Sequence, residues 1–437
     1  MKYAMKINLF ILSVAILVLS PRIQAQKMVS LKECYEGAAA SASIATETED
    51  YSSIWHIRDR NLSKGWLPSI DANGSIIYNS SVIDLRNALG TIPVPGIADA
   101  IKSMPHDQYK VTLDINQVIF DGGAIRSART LEKASLKLNE KQTETDLYKL
   151  RDQVTSYFFT IILLENQKKL LETFLETLNK RIMSMQSALN NGIILKSDID
   201  VLVSEKIKLN QQIAETDLKR EAFIRMLEDL TGIKIDSATR LIIPEIPSAL
   251  TADLSRPELE LYDLKKEQLS AGLEAIKSSR MPKVFGFATL GYGNPPGNNF
   301  FKDEFDTYYI LGAGVKWNIF DWNKSKDERQ IISIHQKIIE KRKQDLSDNL
   351  LRLLEAKNAE IKSLESLLDS DLELIKIRKR ITSAAESKFE NGTLTATELL
   401  HEINSEQQAI LNHEIHKINF AMAKIQYLNI CGKDLEE

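Results

Sequence analysis

Apolar residues recur at alternating steps of three and four along the middle of the chain: Leu147, Leu150, Val154, Tyr157, Ile161 and Leu164, then Leu171, Phe174, Leu178, Ile182, Met185 and Leu189. This is the heptad rhythm of helices that pack along their length. From Ala124 to Asn190 there is no proline or glycine. The pattern predicts one rod of about 65 residues, on the order of 100 Å long. Asn190-Asn191-Gly192 ends it, because Asn and Gly accept the left-handed conformation that terminates helices. A second helix, Ser197 to Leu230, is predicted to run back alongside it. A later proline-free run carries Leu346, Leu350, Leu353, Ile361, Leu364 and Leu368 at similar steps and predicts a second rod.

Elsewhere the period changes to two. Ile70, Ala72, Gly74, Ile76 and Tyr78 alternate with polar residues, as do Val111, Leu113 and Ile115 with Thr112, Asp114 and Asn116. Val284, Gly286, Ala288, Leu290 and Tyr292 form one face of a third strand. In a fourth, Tyr309, Leu311, Ala313, Val315 and Trp317 face one way and Gly312, Gly314, Lys316 and Asn318 the other. Aromatic residues collect at or near the strand ends (Tyr78, Tyr109, Tyr292, Tyr309, Trp317 and Phe320), as in membrane strands. A helix is expected from Ser30 to about Lys64, with Ser30 and Glu33 spaced as a capping box. The segment 79–107 reads as a loop.

The pattern occurs twice. Ile119-Phe120-Asp121 returns as Ile319-Phe320-Asp321, Asn191-Gly192 as Asn391-Gly392, and Gly232 as Gly432, all at one offset. Trp66-Leu67-Pro68-Ser69 similarly answers Arg280-Met281-Pro282-Lys283. The chain therefore divides into a targeting segment, 1–25, a first repeat of helix, two strands and helical hairpin, 26–232, and a second repeat, 233–437.

The targeting segment has Lys2 and Lys6 before an apolar run from Ile7 to Leu19, and ends at Ala25. It predicts export, and Cys34 lies too far downstream to be a lipid acceptor. Whether Cys34 and Cys431 pair is not legible from spacing. Charged residues make up 27% and aromatics 7%, which suits long solvated helices better than a large globular core. The formal charge of −4 becomes more negative without Lys2, Lys6 and Arg22, and no basic run suggests nucleic acid. No later stretch is apolar and long enough for a membrane helix, so any membrane crossing falls to the strands. No phosphate loop, nucleophile elbow or paired Cys-x-x-Cys is present. His413 and His416 have neither zinc-protease spacing nor a third ligand in sight, and read as surface histidines. No enzyme, metal or cofactor is expected.

Four strands cannot close a barrel, and an open edge facing lipid leaves amide groups without partners. Several copies must therefore share one barrel. In order and spacing, Val118-Ile119-Phe120-Asp121-Gly122-Gly123, Arg256-Pro257-Glu258-Leu259, Met281-Pro282 and Phe389-Glu390-Asn391-Gly392-Thr393-Leu394 resemble the TolC-type outer-membrane efflux protein family. The resemblance spans about Ser30 to Gly432. It implies a mainly α fold with membrane β: tandem helical hairpins forming an α-barrel tunnel in the periplasm, and four strands per chain in a trimeric twelve-stranded outer-membrane barrel. It further implies a passive exit duct serving a periplasmic adaptor and an inner-membrane pump, in efflux or type I secretion.

The resemblance also places adaptor docking at the hairpin tips, here Asn191, Gly192, Asn391, Gly392, Thr393 and Leu394, and an acidic constriction just beyond them. Glu398 and Asp198 stand at matching distances after the two tip glycines. His401 occupies the family's second acidic position, and Leu394 stands where other members carry a basic residue. A carboxylate ring in a narrow opening favours cations. Acids in a first helical turn also complement the helix dipole, and that reading stays open for both residues. Two other classes fit a long hairpin: a periplasmic adaptor protein and a structural coiled-coil scaffold. The four amphipathic strands argue against each, and outer-membrane fractionation with conductance separates all three.

Overall fold

The computed structural model describes residues 27–83, 103–191, 194–236, 239–246, 252–300 and 302–434. The targeting segment, Gly192 and most of the 79–107 loop lie outside them. The described chain forms two compact units, and each takes segments from both repeats: 1–45, 146–256 and 347–437 in the first, 46–145 and 257–346 in the second. Division by repeat and division by compactness therefore do not coincide.

In the first unit, strand β1 (Met28–Ser30) leads into helix α1 (Leu31–Ser41). The Ser30–Glu33 capping box forms as expected: Glu33 N donates to Ser30 Oγ at 3.2 Å, and Ser30 N to Glu33 Oε2 at 2.8 Å. The single helix expected to Lys64 is instead broken. Ala42 is extended, a short 3-10 turn covers Ser43–Thr46, and α2 (Glu47–Ser63) belongs to the other unit. The cause is tertiary: the end of α1 is pinned, with Ser41 Oγ donating to Thr231 O at 3.0 Å and Gly37 pressed so closely on the same carbonyl that a Cβ would lie 2.7 Å from it.

The first hairpin consists of α4 (Leu150–Asn190) and α5 (Lys196–Thr231), which continue from α3 (Ala124–Tyr148) of the second unit. Lys149, between α3 and α4, keeps a helical backbone at φ −61, ψ −24. The second hairpin is α7 (Lys324–Glu390) and α8 (Ala396–Cys431). Strand β4 (Arg240–Ile242) pairs in parallel with β1. Val29, Leu31, Cys34, Tyr35 and Ala38 pack there against Val154, Phe158, Phe159 and Ile161 of α4, Leu227 of α5, and Ile418, Ile425 and Leu428 of α8. Further along, Leu171, Leu178 and Met185 meet Ile199, Leu202 and Leu209, the heptad seam read from the sequence. In α7 Leu350, Ile361 and Leu364 are buried as expected, and the seam departs at one position. Leu354 is buried and Leu353 exposed, because a straight helix drifts against a strict heptad.

The second unit holds the antiparallel sheet β2 (Ser69–Tyr78), β3 (Asp107–Phe120), β5 (Lys283–Asn294) and β6 (Asp306–Lys316), in that spatial order. All four expected strands are present, and β2 and β6 are edges. The apolar faces align across the sheet: Leu113 opposes Leu290, which opposes Tyr309, and Ile76 opposes Tyr109. These residues point away from the chain, with Ile76, Tyr309 and Leu311 each 79% exposed.

The helices of this unit, α2, α3, the first part of α7 and α6 (Pro257–Ser279), are joined largely by ion pairs. Asp59 holds Arg129 through two bonds of 2.6 and 2.8 Å, and Lys266–Glu340 and Lys343–Asp263 link α6 to α7. The repeated Phe-Asp motif is a strand-to-helix cap. Asp121 accepts Gly123 N at 2.8 Å and Ile125 N at 2.5 Å, and Asp321 accepts Ser325 N at 3.0 Å together with the Ser325 hydroxyl.

Candidate functional site

The second hairpin tip is a closed hydrogen-bonded unit. Helix α7 ends at Glu390, and Gly392 takes φ +71, a left-handed value that a Cβ would strain. Gly392 N donates to Phe389 O and Thr393 N to Lys388 O, both at 2.9 Å, the paired bonds of a Schellman end. Asn391 donates through N and Nδ2 to Ser387 O, and Thr393 Oγ1 to Lys388 O. Leu394 packs on Ala385, Leu399 and Ile403.

Helix α8 then begins with a full capping box. Glu398 N donates to Thr395 Oγ1 at 3.2 Å, and the Glu398 carboxylate accepts Thr395 N at 2.9 Å and Thr395 Oγ1 at 2.8 Å. These bonds, the backbone one foremost, hold the Glu398 carboxyl below its usual range. Glu398 and His401 are both exposed. Beside the first tip, two of the matching bonds lie among the described residues. Asn191 donates to Ser187 O, and Asp198 Oδ2 accepts Leu195 N at 2.9 Å. Leu195 has no side-chain acceptor to return the bond, so only half a box forms. The helix-end role weighed for both acids is thus occupied in each repeat.

The hairpins meet near these tips, where Phe389 and Ala396 join the cluster of Leu178, Met185 and Leu202. Arg181 of α4 pairs with Glu386 of α7 across a cleft of about 340 Å³ that is also lined by Lys180, Phe389 and Leu399. Burial pushes the Arg181 guanidinium down, against the field of Glu406 and Glu390, and its Nε has no hydrogen-bond partner. Sequence reading missed this tie. Nothing short-range marks it, since Arg181 and Glu386 lie on different repeats.

The histidines also differ from expectation. His416 Nδ1 lies 2.7 Å and His413 Nδ1 3.8 Å from Oδ2 of Asp371, a carboxylate 7% exposed on α7. They are half-buried residues joining α7 to α8 rather than free surface ones, because α8 turns this face onto its partner helix. Among the described residues no cluster suited to a metal ion occurs. Cys34 and Cys431 form no disulfide and are buried in separate apolar clusters, and burial foremost pushes the Cys34 thiol up to about 12.

Acid should loosen both the α8 cap and the α7 cap at Asp321, whose carboxyl is likewise held low, first by the Ser325 hydroxyl. A carboxyl whose folded pKa is depressed stabilises fully above its unfolded value and stops doing so as pH falls through the folded one. The window lies below the ordinary values of 4.5 and 3.8. Amide exchange at 395–399 should therefore accelerate below that range in the parent chain and lose this pH dependence in Glu398→Ala. Equal acceleration in both proteins would remove Glu398 from the effect.

The polar face of the sheet forms the second candidate region. Thr112, Asp114, Asn116 and Lys316 lie on it as expected, and Asp114 accepts Asn73 Nδ2 and Thr112 Oγ1 at 2.8 Å and Thr289 Oγ1 at 2.5 Å. The wall is not purely polar, however. Phe285 lies over Gly314, Phe287 over Gly312 and Tyr308 over Gly291, where a Cβ would come within 2.6 Å of each ring. The rings fill the space that the glycines leave and lie flat on the sheet.

Paired helical hairpins thus accompany a four-stranded sheet that is apolar on its exposed face. Residues 61–222, which cover β2, β3, α3, α4 and most of α5, match the family model "Outer membrane efflux protein". Among solved structures the chain shares its fold with CusC, for which conformational changes accompany folding and transmembrane channel formation (12% identity, 92% of each chain, TM-score 0.68). It is also similar to the outer membrane channels CmeC of Campylobacter jejuni (14%, 92% and 85%, 0.63) and MtrE of Neisseria gonorrhoeae in its open state (15%, 93% and 89%, 0.64). No curated protein matches the chain by sequence. The chain thus carries the outer-membrane efflux family signature over 61–222 and the channel fold over nearly its whole length.

Proposed function

We propose that this protein is a passive outer-membrane exit channel of an efflux or type I secretion assembly, and that three copies complete it. One observation carries the reading: a four-stranded sheet with an exposed apolar face and two edges, β2 and β6, that have no strand partner among the described residues. Lipid suits that face, and the edge amides find partners when β6 of one copy pairs with β2 of the next. Three copies give twelve strands, and the paired hairpins surround the same axis as a periplasmic tunnel. In this reading the chain is a tandem duplication behind a cleaved targeting segment. It is not an enzyme, and export energy comes from an inner-membrane pump coupled through an adaptor at the tips around Asn191, Gly192, Asn391, Gly392, Thr393 and Leu394.

The test is purification from outer membranes, imaging in detergent and conductance in planar bilayers. A threefold tube that conducts supports the proposal. A soluble or inner-membrane protein without conductance would favour an adaptor or scaffold. Asp198, Glu398 and His401 are assigned here to the tunnel constriction. Glu398→Gln can still cap its helix while losing its charge, so it should lower cation preference without unfolding the tip. An unchanged reversal potential would leave Glu398 with only its capping role.

A further inference from the structure

The polar face of the sheet bears charge in separated rows. Strand register places Asp71 directly opposite Asp114, in a row completed by Thr289 and Ile310. On the same face, six residues further back along β5 from Thr289, Lys283 stands directly opposite Lys316. Both are like-charge pairs across antiparallel strands, an arrangement that repels. Among the described residues none of the four has an opposite charge at ion-pair distance, and Asp71 makes no side-chain hydrogen bond. Asp114 is held by Asn73, Thr112 and Thr289, neutral donors that fix its position without cancelling its charge.

We infer that this wall is a charge filter in its own right, in which Asp71 and Asp114 are specificity-determining residues for cations and Lys283 and Lys316 form a separate opposing band. The inference rests on the channel reading above. At about 3.4 Å per residue the two bands lie roughly 20 Å apart. The screening length at physiological salt is about 8 Å, so neither band neutralises the other and each acts on what passes it. The third charged row is balanced: Lys110 lies in the row of Asp306, and Lys302 pairs with both Asp306 at 2.5 Å and Glu304 at 2.9 Å, so the two cations meet two carboxylates.

Between the bands, Phe285 and Phe287 lie against Gly314 and Gly312. These rings place apolar surface beside the carboxylates. Low-dielectric walls of this kind concentrate the field of fixed charges into the water they enclose. If the sheet is repeated around an axis, each band becomes a ring, and a ring of carboxylates selects cations by potential rather than by fit.

Reversal potentials across a potassium chloride gradient in planar bilayers test this, with all wall variants made in an Asp198→Asn, Glu398→Gln background to remove both tip acids. Asp71→Asn with Asp114→Asn should lower the cation-to-anion permeability ratio at least twofold. Lys283→Gln with Lys316→Gln should raise it. Asp71 holds no partner, so Asp71→Asn and Asp71→Lys serve if loss of the Asp114 bonds prevents assembly, with the larger shift expected for lysine. A reversal potential that stays constant through the Asp71 and lysine variants overturns the wall filter while leaving the channel intact. A parent chain that never conducts overturns the channel reading itself, and the filter with it.

Discussion

Phe158→Ala is expected to cost the helical unit about 3–5 kcal/mol, the range for deleting a fully enclosed aromatic side chain. Phe158 has no exposed surface, and its ring meets that of Phe159 edge-on with centroids 5.7 Å apart. It sits where α1, α4, α5 and α8 converge, so no single helix can shift to close the void. The same region contains a buried polar group. The Tyr35 hydroxyl lies 2.6 Å from Thr155 Oγ1, and Asn429 Nδ2 donates to both at 3.2 Å. Loosening the apolar wall around that group admits water to bonds that now have none to compete with. Urea unfolding followed by amide exchange in α1 and α8 would measure the loss. A change under about 1 kcal/mol would mean that the four helices are not held by this cluster.

Arg181→Ala should free the two hairpin tips from each other. The Arg181–Glu386 pair is partly buried, with side chains 26% and 36% exposed, so its worth falls well short of a sealed ion pair. About 1.5–3 kcal/mol is expected, the range for hydrogen bonds to charged groups. Glu386→Gln is the sharper variant, because it leaves Arg181 in place without its carboxylate. Both should raise amide exchange over 178–190 and 380–390 and increase conductance if the tips restrict passage. Faster exchange with unchanged conductance would confine the tie to a structural role.

Much of this architecture is local and therefore legible in sequence. Heptad spacing predicts the long hairpins, because a helix 40 residues long needs a continuous apolar stripe to pack. Period-two alternation predicts all four strands and their apolar face. The Ser30–Glu33 spacing predicts a cap that the structure contains. The paired Phe-Asp motif is visible as a repeat, but its meaning as a helix cap at Asp121 and Asp321 emerges only from the bonds. For Glu398, position after the tip glycine suggests a gate acid, while the capping box adds a structural duty that the same spacing also encodes.

What sequence does not contain is who meets whom across a helix seam. Lys64 was expected to end the helix that in fact breaks after Ser41, because Thr231, far along the chain, fixes the end of α1. His413 and His416 look like solvated residues until Asp371 is found beside them. The Arg181–Glu386 tie and the Phe–Gly pairs of the sheet belong to the same class.

By itself, then, the sequence determined the long helices, the four strands and the polarity of each face, since these depend on neighbours within one or two turns. Only the tertiary structure decided the register between helices, the seam offset at Leu354, and the alignment of Asp71 with Asp114 and Lys283 with Lys316. A slide of two residues between strands keeps every side chain on its own face but changes every such pairing, so alternation in the sequence cannot choose among such slides.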